Sequence, residues 1–270
     1  MPSSPRIWGY LRRSRPNGDI GQHDIANPDM STSGKISQIR AISFDGDMTL
    51  WDFEKVMRHS LGGALTELRA RLPEGKCADL TVDRMIEIRD AVAEERKGER
   101  IALESFRLEA FRRTIEMVGG NNHELAAELN SIYLKHRFAN IELYPDVLQL
   151  LDSIAGRYVL GLISNGNGYP ERCGLQGRFA FVILAQNVRV EKPDPAIFQQ
   201  ACREACCSPE QLMHIGDSLA ADVEGARRAG AVSVWLNRDR KPNHTDIRPD
   251  HEIHSLIELE DFLDCSRHET

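Results

Sequence analysis

The stretch Ile39-Arg40-Ala41-Ile42-Ser43-Phe44-Asp45-Gly46-Asp47-Met48-Thr49-Leu50 decides the fold. An apolar, β-branched run ends in two carboxylates one residue apart, Asp45 and Asp47. This is the pattern of a buried strand delivering polar side chains to its carboxyl end, where open α/β sheets bind ligands. Two acids so close repel each other unless a cation or a shared proton intervenes. Taken alone, the pair reads equally well as a polar turn, because Asp and Gly are common turn formers.

Three further polar signals follow, each after its own apolar run. They are Leu160-Gly161-Leu162-Ile163-Ser164-Asn165-Gly166, then Glu191-Lys192-Pro193-Asp194, then His214-Ile215-Gly216-Asp217-Ser218 with Asp222 beyond. With these four signals in order the chain resembles the haloacid dehalogenase (HAD) superfamily, whose motifs are Asp-x-Asp-x-Thr, a strand-end Ser/Thr, a Lys, and Gly-Asp-x-x-x-x-Asp. The second acid, Asp47, resembles the phosphatase branch, phosphoglycolate phosphatase-like members included. The resemblance covers Ile39 to about Leu236. It implies an α/β fold: a Rossmann-like core of parallel sheet with helices on both faces, plus an inserted all-α cap after the first motif.

The chain in order supports that division. Residues 1–37 are rich in Pro, Gly, Ser, Asn and Arg without periodicity, and read as a disordered leader in which Met30 is an equally good start. Residues 38–50 and 141–265 form the core, with strands expected at 158–163, 181–184, 212–215 and 232–236, and helices at 195–206 and 222–229. Tyr144-Pro145-Asp146 opens a helix, with Asp146 near its first turn. Residues 51–140 carry helical spacing. Leu61, Leu65, Leu68 and Leu72 make one stripe, and Met85, Ile88 and Val92 a second. Leu103, Phe106, Ala110 and Met117 make a third, and Leu125, Leu129, Ile132 and His136 a fourth. Four such helices make a small bundle positioned to cover the strand ends, exclude water and select substrate. Its basic residues Arg96, Lys97, Arg100, Arg107, Arg112 and Arg113 read mainly as partners of nearby glutamates, with one of them available to a substrate anion. Packing is the default role for Trp51 and His59.

Composition bounds the partners. The net charge of −7 argues against nucleic acid or anionic membrane, so an anionic substrate has to be drawn by a local site. No stretch approaches the ~20 apolar residues of a membrane span, and no signal-peptide core precedes the fold. The six cysteines match no zinc spacing and read as reduced thiols in a cytoplasmic protein.

The chemistry expected is Mg²⁺-dependent phosphomonoester hydrolysis on a small phosphorylated metabolite. Asp45 is the nucleophile that forms an aspartyl-phosphate, and Asp47 protonates the leaving oxygen and later deprotonates water. Asp45 and Asp217 supply carboxylates to Mg²⁺, with the main-chain carbonyl of Asp47 added by resemblance. Lys192 neutralises the transferring group, and Ser164 with the amide of Asn165 binds phosphate. Thr49 fixes the loop, and Asp222 reads as an anchor behind the metal, with metal ligand and helix N-cap as its alternatives. Gly46 stands where the family favours a bulkier residue, which affects loop flexibility. A phosphosugar mutase on the same scaffold, or a phospho-acceptor or binding protein without turnover, are the competing readings. The cap's helical faces offer a surface for a homodimer.

Overall fold

Five short apolar runs pair side by side to hide their hydrophobic faces from water, and a more polar sixth strand closes one edge. The computed structural model of the chain describes residues 36–96, 103–121 and 123–265. The expected leader up to residue 35, Lys97 and Arg100 lie outside them. The strands are β1 (Ala41–Phe44), β2 (Val159–Ser164), β3 (Phe181–Leu184), β4 (Leu212–Gly216), β5 (Val232–Leu236) and β6 (His251–Ile253). All pair in parallel in the order β3-β2-β1-β4-β5-β6, which puts β1 at the centre. Ser43 lies level with Gly161 on one side and His214 on the other.

Between β1 and β2 come α1 (Phe53–Arg71), α2 (Val82–Glu95), α3 (Leu103–Met117), α4 (His123–Ala139) and α5 (Val147–Ile154). Asp52 caps α1 by accepting the N–H of Lys55 at 2.9 Å, and Thr81 caps α2 through the N–H of Arg84 at 3.1 Å. Between β3 and β4 come α6 (Ala185–Val188) and α7 (Pro195–Glu204), between β4 and β5 comes α8 (Glu224–Ala229), and α9 (Glu258–Cys265) follows β6. The chain is thus an α/β protein with a parallel core sheet.

Helices α1 to α4 enclose an apolar cluster of their own that includes Leu61, Leu65, Leu68, Phe111, Leu129 and Tyr133. The sheet packs a separate cluster on Ile42, Phe44, Leu162 and Ile215. Trp51 belongs to this second cluster and bridges Asp47 and Leu143, and the first helix begins two residues later at Phe53.

Three local expectations need correction. Met117 is exposed, and α3 buries Ala110, Phe111, Thr114 and Ile115 instead. In α4 the buried face runs through Leu125, Ala126, Leu129, Asn130, Tyr133 and Arg137, so Ile132 and His136 flank it. Asp146 stands at the start of α5 as expected, though its side chain makes no capping bond. Its carboxylate accepts from both Arg238 Nη atoms (2.9 and 3.0 Å), from Ser255 Oγ at 2.8 Å and from the Leu256 N–H at 2.9 Å. It therefore ties the start of α5 to the loop before α9. Ahead of α8 the chain winds as a π-turn, Leu219–Val223, capped by Ser218 through the Ala221 N–H, and Asp222 sits inside that turn.

Gly161 shows how tightly β2 is held. A Cβ there would meet the Phe181 ring at 2.0 Å. Gly161→Ala is expected to destabilise the fold by about 1–3 kcal/mol through overpacking. Urea denaturation reads this directly, and an unchanged midpoint would mean that the ring yields freely.

Candidate active site

The carboxyl ends of β1, β2 and β4 converge on one buried ammonium. Lys192, only 4% exposed, uses all three of its donors. Its Nζ donates to Asp45 Oδ1 at 2.6 Å, to Asp222 Oδ1 at 2.6 Å and to the Ile163 carbonyl at 2.9 Å. The loop that carries it is pinned by Asn165. That side chain donates to the Lys192 carbonyl at 2.9 Å and accepts the Lys192 N–H at 2.8 Å.

Behind the ammonium a polar chain runs into the sheet. His214 Nε2 lies 3.1 Å from Asp222 Oδ1, and His214 Nδ1 lies 2.9 Å from Ser43 Oγ. Asp222 Oδ2 accepts the Ser218 N–H at 3.0 Å. Both oxygens of Asp222 are therefore engaged within the protein, as an anchor requires. Burial pushes Asp222 up, but the Lys192 charge and His214 outweigh it and hold the carboxyl well below its ordinary value. Burial also lowers the His214 pKa, which keeps the imidazole neutral at pH 7.

Asp45, Asp217 and Asp222 each offer an oxygen, all within 4.8 Å of one another. Three carboxylates against one ammonium leave two negative charges uncompensated. Burial, with Asp222 and Asp47 nearby, raises Asp45 despite Lys192, and burial with Asp222 raises Asp217 to about 6. An all-oxygen, doubly negative pocket is the donor set that suits a hard divalent cation such as Mg²⁺.

Asp47 stands on the side of this cluster facing the helical insertion. Trp51 Nε1 donates to Asp47 Oδ1 at 2.7 Å. The other carboxylate oxygen crowds Gly166, where a Cβ would meet Asp47 Oδ2 at 2.6 Å and Ser164 Oγ at 3.3 Å. Ser164 Oγ accepts the Gly166 N–H at 3.0 Å. The sequence pattern singles out Asp45, Asp47, Ser164, Asn165, Lys192, Asp217 and Asp222, and all of them gather here. Thr49 does not join them. Its hydroxyl is buried without a hydrogen-bond partner among the described residues, while its carbonyl accepts from Arg238 at 2.9 Å.

Gly46 makes room where loop flexibility was expected. A Cβ on it would meet the Trp51 ring at 2.6 Å, and one on Gly168 would meet the same ring at 2.5 Å. The indole fits only between two glycines, and it aims its N–H at Asp47.

Sequence reasoning missed Ser43, His214, Asn167 and Arg137. Arg137, on α4, donates to Asn167 Oδ1 at 2.5 Å and brings Nη2 to 3.8 Å from Asp47 Oδ2. Of the basic residues weighed instead, Arg112 and Arg113 pair with Glu95, Glu109 and Glu116, and Arg107 turns inward to Asn130 Oδ1 at 3.0 Å. A polar residue in an otherwise apolar strand or stripe was the signal available for Ser43, His214 and Arg137.

Comparison with known proteins places this geometry. The family model described as haloacid dehalogenase-like hydrolase matches residues 39–230. A glyceraldehyde 3-phosphate phosphatase of Methanopyrus kandleri is 30% identical over 83% of this chain and 97% of its own. A pyrimidine 5'-nucleotidase of Streptococcus pneumoniae is 29% identical over 82% of this chain and 93% of its own. Among solved structures, a 2-haloacid dehalogenase of Pseudomonas syringae superposes with a TM-score of 0.69 at 31% identity, covering 84% of this chain and 99% of the other.

The crowding of acids has a measurable cost. Asp217 rises from 3.8 to about 6, so ionising it costs the metal-free fold more than it costs the unfolded chain. That penalty is complete above about pH 6 and absent below about pH 4, the two values between which the group shifts. Asp217→Asn is therefore expected to stabilise the metal-free protein by about 1–2 kcal/mol at pH 8, after allowing for partial exposure, and to change little near pH 4. Urea melts in EDTA at the two pH values test this.

Proposed function

The chain belongs to the haloacid dehalogenase-like hydrolase family, and on that premise we propose that it hydrolyses a small phosphomonoester, with Mg²⁺, through an aspartyl-phosphate on Asp45. Its action on phosphate esters follows from its phosphatase and nucleotidase relatives. The observation that carries the finer reading is Asp47. Its carboxylate is held by Trp51 and shares the space over Gly166 with Ser164.

In the first step an Asp45 oxygen attacks phosphorus while the ester P–O bond breaks. Asp47 gives its proton to the departing alkoxide, which leaves as an alcohol. In the second step Asp47 takes a proton from water, whose oxygen attacks phosphorus and breaks the bond to Asp45. Inorganic phosphate leaves and both carboxyl groups return to their starting states. Lys192 balances charge on Asp45 and on the phosphoryl oxygens, and the Ser164 hydroxyl donates to one of those oxygens. Asn165 acts through Lys192, by holding its main chain. Asp45 and Asp217 would hold the Mg²⁺, joined by the Asp47 carbonyl on the family resemblance, with Asp222 anchoring Lys192 behind them. The cation supplies neutralisation of the phosphate's negative charge. Helices α1 to α4 serve as the cap that excludes water during turnover.

Asp47 also separates this reading from carbon–halogen hydrolysis, the activity named for the Pseudomonas syringae structure. A departing halide is a weak base and needs no proton, whereas an alkoxide does. The free thiols Cys77, Cys173 and Cys202 support a reducing compartment, consistent with the cytoplasm.

Phosphate release from p-nitrophenyl phosphate and from a panel of phosphorylated metabolites tests the proposal. Asp45→Asn is expected to abolish release, and Asp47→Asn to slow release from alkyl esters by about 10²–10⁴-fold. Excess EDTA should stop the reaction and added Mg²⁺ restore it. Full activity in EDTA would overturn the metal assignment, and isomer formation without phosphate release would point to a mutase.

A further inference from the structure

Three cysteines crowd the carboxyl end of α7, and the mechanism uses none of them. Cys202 is buried in the apolar layer around Ile197, Phe198 and Ala201, and Cys207 packs against the same layer from its edge. Cys206 is exposed. The helix is capped at Ala205 and closes there on two reversed bonds. The Cys207 N–H donates to the Cys202 carbonyl at 3.0 Å, and the Cys206 N–H donates to the Arg203 carbonyl at 3.2 Å. Those two bonds define a Schellman turn, whose first residue past the cap takes a left-handed backbone. Cys206 stands there at φ 51°, in a place that glycine usually fills.

A Schellman turn commonly carries an apolar contact between the two residues that share its outer bond. Here those residues are Cys202 and Cys207, so the contact is made by two thiols. The Cys202 thiol donates to the Cys207 sulfur. The two sulfurs differ in access, because Cys202 is 7% exposed while Cys207 is half-buried. Burial raises both thiols, Cys202 to about 12, and outweighs the charges of Arg203 and Arg40 nearby. The reduced pair therefore gains nothing from ionising at neutral pH, which favours a bonded form at equilibrium and slows its formation.

We propose that Cys202 and Cys207 are a modification site, joined in a reversible disulfide by exchange with a small soluble disulfide such as oxidised glutathione. The Cys207 thiolate attacks one sulfur of the reagent, and one glutathione leaves as its thiolate. Cys202 then loses its proton to water and attacks the Cys207 sulfur, and the second glutathione leaves. Two protein thiols are thereby oxidised to one disulfide, while one reagent disulfide is reduced to two thiols. The bridge closes a short ring at a helix end whose main chain the two reversed bonds already fix. Its place in the fold ties it to the site at one remove. Phe198, one turn earlier on α7, sets its ring edge-on to His214 with centroids 5.0 Å apart. Asp194 caps the amino end of the same helix through the Ala196 N–H at 2.9 Å, two residues beyond Lys192.

The inference is independent of the phosphatase reading, and its test needs no turnover. The reduced full-length protein is incubated with oxidised glutathione at pH 8, free thiols are alkylated, and tryptic peptides are mapped without reduction. Trypsin cuts after Arg203, between the two cysteines, so the bridge would hold residues 190–203 to residues 204–227. That linked pair is the expected product, with the bond placed at Cys207 by fragmentation and with both thiols restored by dithiothreitol. Cys206→Ser should leave its yield unchanged, and Cys207→Ser should cut the linkage of Cys202 by about tenfold or more. The wild-type map decides on its own should a variant not fold. A bond from Cys202 to Cys206 overturns the assignment, as does a bond between Cys206 and Cys207. Glutathione retained on Cys207, or full alkylation of both Cys202 and Cys207, overturns it equally.

Discussion

One ammonium holds the site together. Lys192 reaches β1 through Asp45, β2 through the Ile163 carbonyl and the turn after β4 through Asp222, in bonds of 2.6–2.9 Å. Burying one charge of each sign gains little, because desolvation consumes most of the attraction. The gain here lies in having no spare donor on the lysine and no spare oxygen on Asp222. Removing any member would strand the others in a region without water. Asp45 is thus held at a fixed place on a strand end, with one oxygen committed and the other free. On the proposed mechanism, this aims Asp45 without neutralising it.

A second constraint acts on Asp47. Side chains on strand-end loops ordinarily sample several rotamers, which would blur the position of the carboxylate. Here Trp51 removes that freedom, and it can do so because Gly46 and Gly168 leave space for its ring. Met48 takes a left-handed backbone at φ 65°, while its N–H donates to the Trp51 carbonyl at 2.8 Å. A costly turn is therefore closed by the same tryptophan that orients the acid. Sequence reading treated Gly46 as a departure and Trp51 as packing. Neither residue is explained without the other.

These two constraints mark how much was legible beforehand. Periodicity gave the strands and the helical insertion, because burial on two faces or on one stripe leaves a strong imprint on residue order. Asp45, Asp47, Lys192 and Asp217 were legible because charged groups at strand ends have few structural uses. Arg137 was not. The α4 stripe was phased through Ile132 and His136, one residue off the face that is buried, and this turned Arg137 outward on paper. Arg107, in contrast, was considered only for its charge, and nothing in a row of basic residues tells which one folds inward. Pairings such as His214 with Asp222, or Asn165 with the Lys192 main chain, join loops far apart in sequence and leave no local trace.

The family's range follows from the same division of labour. The sheet fixes an aspartate and its counter-charges regardless of what leaves, so an ester phosphate and a carbon–halogen bond can be attacked from one scaffold. What distinguishes the two reactions is the fate of the leaving atom, and on the proposed mechanism that is decided two residues beyond Asp45. In this chain the residue there is an acid, tied to an indole on one side and flanked by a buried arginine on the other. The strand end and the helical insertion therefore meet at Asp47, which Trp51 approaches from one and Arg137 from the other.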